Sequence, residues 1–207
     1  MPELPQLFPP MLASEQRAPF HRDGWVFEVK EDGYRCLVFK QGNGVALVSR
    51  NLRNLAPQFP DLAAALATLS SETLVLDGEI AVFDERSVSH LGYLGKRGRK
   101  PLAPPGFVAF DCLFARGRDL RAKPLRARRK TLEREIGSAT GAVTIARRLD
   151  ANGLRAWEQV REHEWEGLVA KDDSSTYEPG TRTRSWIKVK HRIRQGWPEE
   201  GTERRRV

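Results

Sequence analysis

Cysteine is scarce in this chain: Cys36 and Cys112 are the only two in 207 residues, with no CxxC pair and no Cys/His spacing. A disulfide framework and a zinc site are therefore excluded, and both thiols are expected in the core. The four histidines, His21, His90, His163 and His191, also lack metal-ligand spacing and are expected at the surface or at element ends. No apolar run approaches the ~18 residues of a membrane span, so a membrane partner is not expected. The N-terminal MPELPQLFPPMLASEQ lacks the basic-then-apolar layout of a secretory signal, which points to the cytoplasm. No internal repeat is visible.

What is present suits a soluble globular protein: 40% hydrophobic and 30% charged residues, enough chain for one core or for two small lobes sharing a cleft. The net charge of +8 is unevenly placed. Lys96 to Arg134 holds thirteen Lys/Arg against Asp111, Asp119 and Glu133, a local +10 that leaves −2 elsewhere. Such a block fits a polyanion, and equally a solvated basic surface.

Residues 1–24 carry Pro9, Pro10 and Pro19 and read as an irregular lead-in. Short β-prone runs follow at Trp25–Lys30, Arg35–Lys40 and Val45–Ser49, the last two joined by Gln41-Gly42-Asn43-Gly44, which has hairpin chemistry. Pro60-Asp61 opens an amphipathic helix through Leu62, Ala65, Leu66 and Leu69. Thr73–Phe83 and Phe107–Phe114 are further strands, separated by Gly92–Lys100, too polar for a core and expected to be a mobile loop. Pro124 begins a second helix carrying Leu125, Arg129, Leu132 and Ile136, its outer face crowded with arginine. Asn152 is expected to cap a third, with Leu154, Trp157 and Val160 as its apolar positions. It is expected to stop near Gly167, where the strand Leu168–Lys171 begins, and Trp186–Lys190 is the last strand. Antiparallel strands broken by isolated helices predict an α+β fold rather than a doubly wound parallel sheet.

Several segments place polar groups where a plain core would not. In Glu28-Val29-Lys30-Glu31-Asp32-Gly33-Tyr34-Arg35, alternation puts Glu28 and Lys30 on one face just before a turn at Gly33. Leu76-Asp77-Gly78-Glu79 sets two carboxylates on one face of a long strand, as either an exposed edge or a ribose or metal contact. Glu166 leads into the apolar strand Gly167–Lys171. In Trp186-Ile187-Lys188-Val189-Lys190 the two lysines share one face and the apolar residues the other. Like charges side by side cost roughly a few tenths to 1 kcal/mol, unless the face is well solvated or an anion lies between them.

Together and in this order, these segments resemble the covalent nucleotidyltransferase superfamily of DNA ligases, RNA ligases and mRNA capping enzymes. Lys30-Glu31-Asp32-Gly33-Tyr34-Arg35 looks like its nucleophile motif. Ser49-Arg50-Asn51, Leu76–Glu79, Phe107-Val108-Ala109-Phe110-Asp111, Glu166–Lys171 and Trp186–Lys190 look like the motifs that follow. Gly24-Trp25-Val26-Phe27-Glu28, Pro9–Ala13, Pro124–Arg129 and Tyr177-Glu178-Pro179-Gly180 resemble bacterial ATP-dependent DNA ligases of the repair and end-joining kind.

The resemblance implies antiparallel sheets and helices around a nucleotide cleft, with residues 1–190 as an adenylation domain. It implies that Lys30 attacks the α-phosphate of ATP, the AMP then passing to the 5′-phosphate of a DNA nick before the 3′-hydroxyl displaces it. Attack needs a neutral amine, whereas an unperturbed lysine titrates near ~10.4; burial and nearby cations disfavour its ammonium form. By position, Glu28 and Phe110 would hold adenine, Arg35 and Glu79 the ribose, and Arg50, Arg182, Lys188 and Lys190 the phosphates. Asp32 and Glu166 would place Mg²⁺ or Mn²⁺. Nicked duplex DNA is the implied partner, with basic residues of Lys96–Arg134 against its backbone, alongside repair or end-joining proteins in a bacterial, nucleoid-associated setting.

Ligases of this kind continue into an oligonucleotide-binding barrel, for which the residues after Lys190 leave no room. Residues 191–207 are expected to be a disordered remnant of the linker. An RNA ligase, a capping-type enzyme and a non-catalytic adenylate- or DNA-binding remnant are the competing expectations.

Overall fold

The computed structural model describes residues 3–95, 100–137 and 141–191. Its strands are β1 (Leu12–Gln16), β2 (Trp25–Val29), β3 (Tyr34–Gln41), β4 (Gly44–Ser49), β5 (Thr73–Ala81), β6 (Gly106–Ala115), β7 (Arg118–Asp119), β8 (Val143–Ile145), β9 (Gly167–Asp172) and β10 (Arg182–Lys190). The helices are α1 (Pro60–Ala67), α2 (Leu125–Ile136) and α3 (Gly153–Glu162), with one 3-10 turn at Leu91–Leu94. The expected α+β class is what the chain adopts.

Two sheets form. The smaller runs β1-β10-β9-β2; the larger runs β4-β3-β5-β6-β7, with β8 beside β6. Pairing is antiparallel except for β1 against β10 and β8 against β6. β3 sits between β4 and β5, and its central Cys36–Phe39 run is apolar because both its faces are covered. Cys36 and Val38 join the cluster under α1 and α2, with Leu62, Leu66, Leu132 and Ile136. Leu37 and Phe39 point the other way, into an inter-sheet cluster with Phe8, Met11, Tyr177 and Trp186. α3 closes the outer face of the smaller sheet through Ala156 and Val160 against Phe27, Leu168 and Val189. Both cysteines are fully buried thiols, as expected.

Five expectations need correction. The lead-in contains β1, a polar LASEQ segment held as a strand by β10, some 170 residues on. The expected loop at Gly92–Lys100 opens inside the 3-10 turn, with Leu94 fully buried, while residues 96–99 lie outside the described residues. The arginine-crowded face of α2 is partly interior: Arg128 and Arg129 are buried. On α3 the Asn152 cap forms, its Oδ1 accepting from the Leu154 and Arg155 amides, yet Leu154 is 52% exposed and the helix ends at Glu162. His191 is buried, its ring edge-on to Trp157. Residues 192–207 of the expected tail lie outside the described residues.

Candidate functional site

Lys30 emerges where β2 ends. Its amide donates to the Gly167 carbonyl at 3.0 Å, so the start of β9 fixes where the side chain leaves the sheet. The Nζ then reaches into the cleft between the sheets, where it pairs with the Glu166 carboxylate and lies 3.4 Å from the Glu31 carbonyl. Two glycines permit this approach. A Cβ on Gly33 would stand 2.1 Å from the Ile80 carbonyl oxygen, and one on Gly167 2.1 Å from that of Val189. At both places backbone passes backbone too closely for any side chain.

The cleft has a volume of about 190 Å³ and draws its walls from both sheets. Phe110 of β6 and Trp186 of β10 stand edge-to-face, with ring centroids 6.1 Å apart. The Arg35 guanidinium carbon lies 4.4 Å from the Phe110 centroid, and the Lys171 Nζ lies 4.5 Å from Phe110 and 4.2 Å from Trp186. Two flat aromatic faces beside cations form a surface on which a flat, electron-rich ring can stack.

Beneath this surface the charges are tied down. Arg35 forks onto fully buried Asp77, Nε to Oδ1 at 2.6 Å and Nη2 to Oδ2 at 2.7 Å, and Nη2 also reaches the Met11 carbonyl at 3.2 Å. The Tyr177 hydroxyl donates to the same Asp77 Oδ2 at 2.6 Å and accepts from the Met11 amide at 3.0 Å. Burial works against the Arg35 charge, but the adjacent Asp77 carboxylate more than offsets it and holds the guanidinium charged. Burial drives the Tyr177 hydroxyl well above the usual phenol range, and Asp77 adds to that. Glu28 is buried with both oxygens engaged: Oε1 accepts from Arg129 Nη1 at 3.2 Å and Oε2 from Lys171 Nζ at 2.6 Å. Burial lowers the Lys171 amine below the usual lysine range, with Glu28 pulling the other way.

Of the residues singled out in the sequence, Glu28, Lys30, Arg35, Arg50, Glu79, Phe110, Arg182 and Lys188 all line this cleft. Glu166 reaches it through Lys30. Lys190 and Asp32 are not among the lining residues. Lys190 pairs in register with Gly167 at the far end of β10. The Asp32 amide donates to Ser89 Oγ at 2.8 Å, while its Oδ2 accepts from the Leu91 amide at 3.1 Å. Asp77 and Glu79 part company: Asp77 is sealed beneath Arg35, while Glu79 is half-buried on the cleft wall. Burial pushes the Glu79 carboxyl up to about 7, against the pull of Arg35 and Lys30. Burial also raises the neighbouring Glu31 carboxyl, although a hydrogen bond from Ser89 draws it back.

Sequence reasoning missed several wall residues. Trp186 was expected opposite the lysines but lines the cleft with Lys188, as strict i, i+2 alternation requires. Lys171 and Glu31 lay inside motifs whose other members drew attention. Arg129, behind the wall rather than in it, was already on the Leu125, Leu132, Ile136 stripe of α2, whose period turns it inward, but its link to Glu28 was not read. Among the described residues, no three His, Cys, Asp or Glu side chains gather as a metal cage.

Comparison with known proteins gives a consistent result. A family model described as "ATP dependent DNA ligase domain" matches residues 10–190. The "Multifunctional non-homologous end joining DNA repair protein LigD" of Mycobacterium tuberculosis is 39% identical over 183 residues, covering 88% of this chain and 24% of the relative. A DNA ligase of Thermococcus onnurineus is 33% identical over 178 residues, covering 79% of this chain and 32% of the relative. The solved "mycobacterial DNA ligase D complexed with ATP and MES" superposes with a TM-score of 0.80 at 38% identity, over 89% of this chain and 60% of that one. The chain thus spans about a quarter to a third of the length of these curated relatives.

Proposed function

The chain belongs to the ATP-dependent DNA ligase domain family, and from that premise we propose that it carries AMP covalently on Lys30 and delivers it to the 5′-phosphate of nicked duplex DNA. The observation that carries this reading is the placement of the Lys30 amine, in one cleft with an aromatic stacking surface and five further basic side chains, Arg35, Arg50, Lys171, Arg182 and Lys188.

In the first step the Lys30 nitrogen attacks the α-phosphorus of ATP, pyrophosphate leaves, and the amine loses a proton. A P–N bond forms as a P–O bond breaks. Phe110 stacks adenine and Glu28 accepts from its amino group; Arg35 and Glu79 face the ribose. Arg50, Arg182 and Lys188 offset the phosphate charge as it shifts toward the leaving group, while Lys190 stands beyond the lining at the end of β10. A phosphate oxygen of the nick then takes the AMP from Lys30, and the 3′-hydroxyl displaces it to close the backbone.

Mg²⁺ is bound by one or two carboxylates together with substrate phosphates, so it needs no protein cage. Glu166, whose oxygen meets Lys30, is the carboxylate that would hold it, its hard oxygen donors fitting; Asp32, also expected there, lies off the cleft lining with its Oδ2 on the Leu91 amide. When bound, the ion would supply Lewis-acid stabilisation of phosphate charge. A cation at Glu166 would also compete with Lys30 for that carboxylate.

Duplex contact would fall to exposed Arg118, Lys123, Arg126 and Lys130. Other members of the basic block are committed within the chain: Arg128 to Asp111 and Arg129 to Glu28 in the interior, while exposed Arg116 and Arg134 pair with buried Glu135. Such backbone contact weakens steeply with salt. Repair or end-joining proteins are the proposed setting.

Incubation with ATP and Mg²⁺ is expected to add the mass of one AMP, located to Lys30 by peptide mapping, and Lys30→Ala is expected to lose it. An adduct that survives in Lys30→Ala overturns the assignment. Labelled GTP in place of ATP separates the capping-type alternative, and nicked RNA in place of DNA separates an RNA ligase.

A further inference from the structure

Arg129 closes the Pro124–Arg129 segment, to which the resemblance gives no role in the chemistry, yet it is wired into the cleft. From the first turns of α2 its guanidinium reaches three acceptors. Nε donates to Glu133 Oε1 at 2.7 Å, Nη2 to the Ala146 carbonyl at 3.1 Å, and Nη1 to Glu28 Oε1 at 3.2 Å. The side chain is 11% exposed, so the fork is held in one geometry. Glu28 is thereby gripped at both ends, by α2 through Arg129 and by β9 through Lys171, while it still lines the cleft beside Phe110.

An ionised carboxylate is an acceptor only, with two acceptor sites on each oxygen. One site on each is taken, which leaves Glu28 able to accept from a bound base and unable to donate to it. A purine with an exocyclic amino group at C6 offers the donor this needs; a 6-oxo purine sets an acceptor against it. A purine with an oxygen at C6 could be accommodated only if Glu28 turned away, and the cations paired with its two oxygens oppose that.

We propose that Arg129 is the positioning residue for base selection: by fixing Glu28 as an acceptor-only carboxylate, it makes the cleft prefer a 6-amino purine nucleotide over a 6-oxo one. This rests on the nucleotide-binding part of the function proposed above, but not on covalent transfer. Buried polar groups that must hydrogen-bond their ligand reject an analogue lacking the partner far more strongly than pocket shape alone does.

The test uses AMP and inosine monophosphate, which carry no pyrophosphate leaving group, so it reads binding without turnover. Intrinsic tryptophan fluorescence reports occupancy, since Trp186 lines the cleft. The wild-type chain is expected to bind AMP more tightly than inosine monophosphate by about tenfold or more, the scale of one hydrogen bond to a charged group. In Arg129→Gln, which keeps a donor at about the Nε position but loses the reach, the charge and the fork, that ratio is expected to fall to within about threefold of unity. Arg129→Lys, which restores the charge, is expected to recover most of it. A purely structural role for Arg129 would weaken both ligands together and leave the ratio unmoved; that result, or a wild-type ratio near one, overturns the proposal. Should Arg129→Gln fail to fold, Arg129→Lys still decides: it must retain a ratio above that of Glu28→Gln, whose amide can donate as well as accept. Selective binding with no AMP adduct on Lys30 would sink covalent transfer and leave this inference standing.

Discussion

Glu79 provides a test of the cleft's electrostatics that needs no substrate. Its carboxyl is raised from the usual 4.5 to about 7, chiefly because burial disfavours the charged form. The folded protein therefore holds this proton more tightly than the unfolded chain does, and the sign follows: as pH rises from about 4.5 to about 7, stability falls, and above 7 the loss is complete. At about 1.4 kcal/mol for each tenfold change in proton affinity, the full effect is at most ~3 kcal/mol. Water reaches this half-buried carboxylate, which brings the expected figure nearer ~1–2 kcal/mol. Glu79→Gln removes the titration and leaves a constant offset from the amide. Urea unfolding of both proteins at pH 5 and pH 8, analysed as midpoint times slope, is expected to show the variant gaining ~1–2 kcal/mol on the wild type between the two conditions. Every other titrating group is common to both and cancels. Stability differences that are the same at pH 5 and pH 8 would refute the claim that burial dominates at Glu79.

Two further perturbations probe the frame around the cleft. Arg128 and Asp111 form a buried two-pronged pair, with Nε and Nη2 each 2.8 Å from a carboxylate oxygen. Thermal or urea unfolding of Arg128→Met alone is expected to show a loss of ~3–5 kcal/mol, because Asp111 keeps an unpaired charge, and the double variant with Asp111→Leu should lose clearly less. Gly33→Ala would force a methyl within 2.1 Å of the Ile80 carbonyl oxygen, and unfolding is expected to show destabilisation of at least ~1–3 kcal/mol together with a weakened AMP adduct.

The long strands of the larger sheet, β3 to β6, were legible because their period and length are local properties, whereas β7 and β8, two and three residues long, carry no such period. Cys36-Leu37-Val38-Phe39 can only be a strand covered on both faces, and the break at Gly42-Asn43 can only be its hairpin. β1 was not legible. Leu12-Ala13-Ser14-Glu15-Gln16 has no strand-forming character of its own, and its hydrogen bonds come from β10 at the other end of the chain. The cleft residues were legible wherever a charge interrupts an apolar strand, as at Glu28, Glu79 and Lys188. Charges on helices were harder to place, since arginine usually marks the wet face. Arg128 and Arg129 break that rule because Asp111 and Glu28, buried on neighbouring strands, require cations. The helical period turns Arg129 inward with Leu125, Leu132 and Ile136, but the carboxylate that each arginine meets is distant in sequence, and no local window contains it.

The same pairing logic separates the cations of the cleft into two kinds. Arg35 is matched by Asp77, which is fully buried, so a ligand cannot draw that carboxylate away without exposing it, and the guanidinium stays fixed under Phe110. Lys188 is matched by Glu15, whose side chain is 51% exposed, at 3.1 Å. An ion pair open to water contributes at most ~1 kcal/mol, so exchanging Glu15 for a phosphate oxygen costs little. Lys30 lies between these cases, since its partner Glu166 is 9% exposed and is released only if another cation takes its place. On the proposed reading this ordering has a use. The groups that orient the nucleoside are locked before it arrives, the group that receives the triphosphate is cheaply freed, and the nucleophile is held by its carboxylate until a metal ion enters with the substrate.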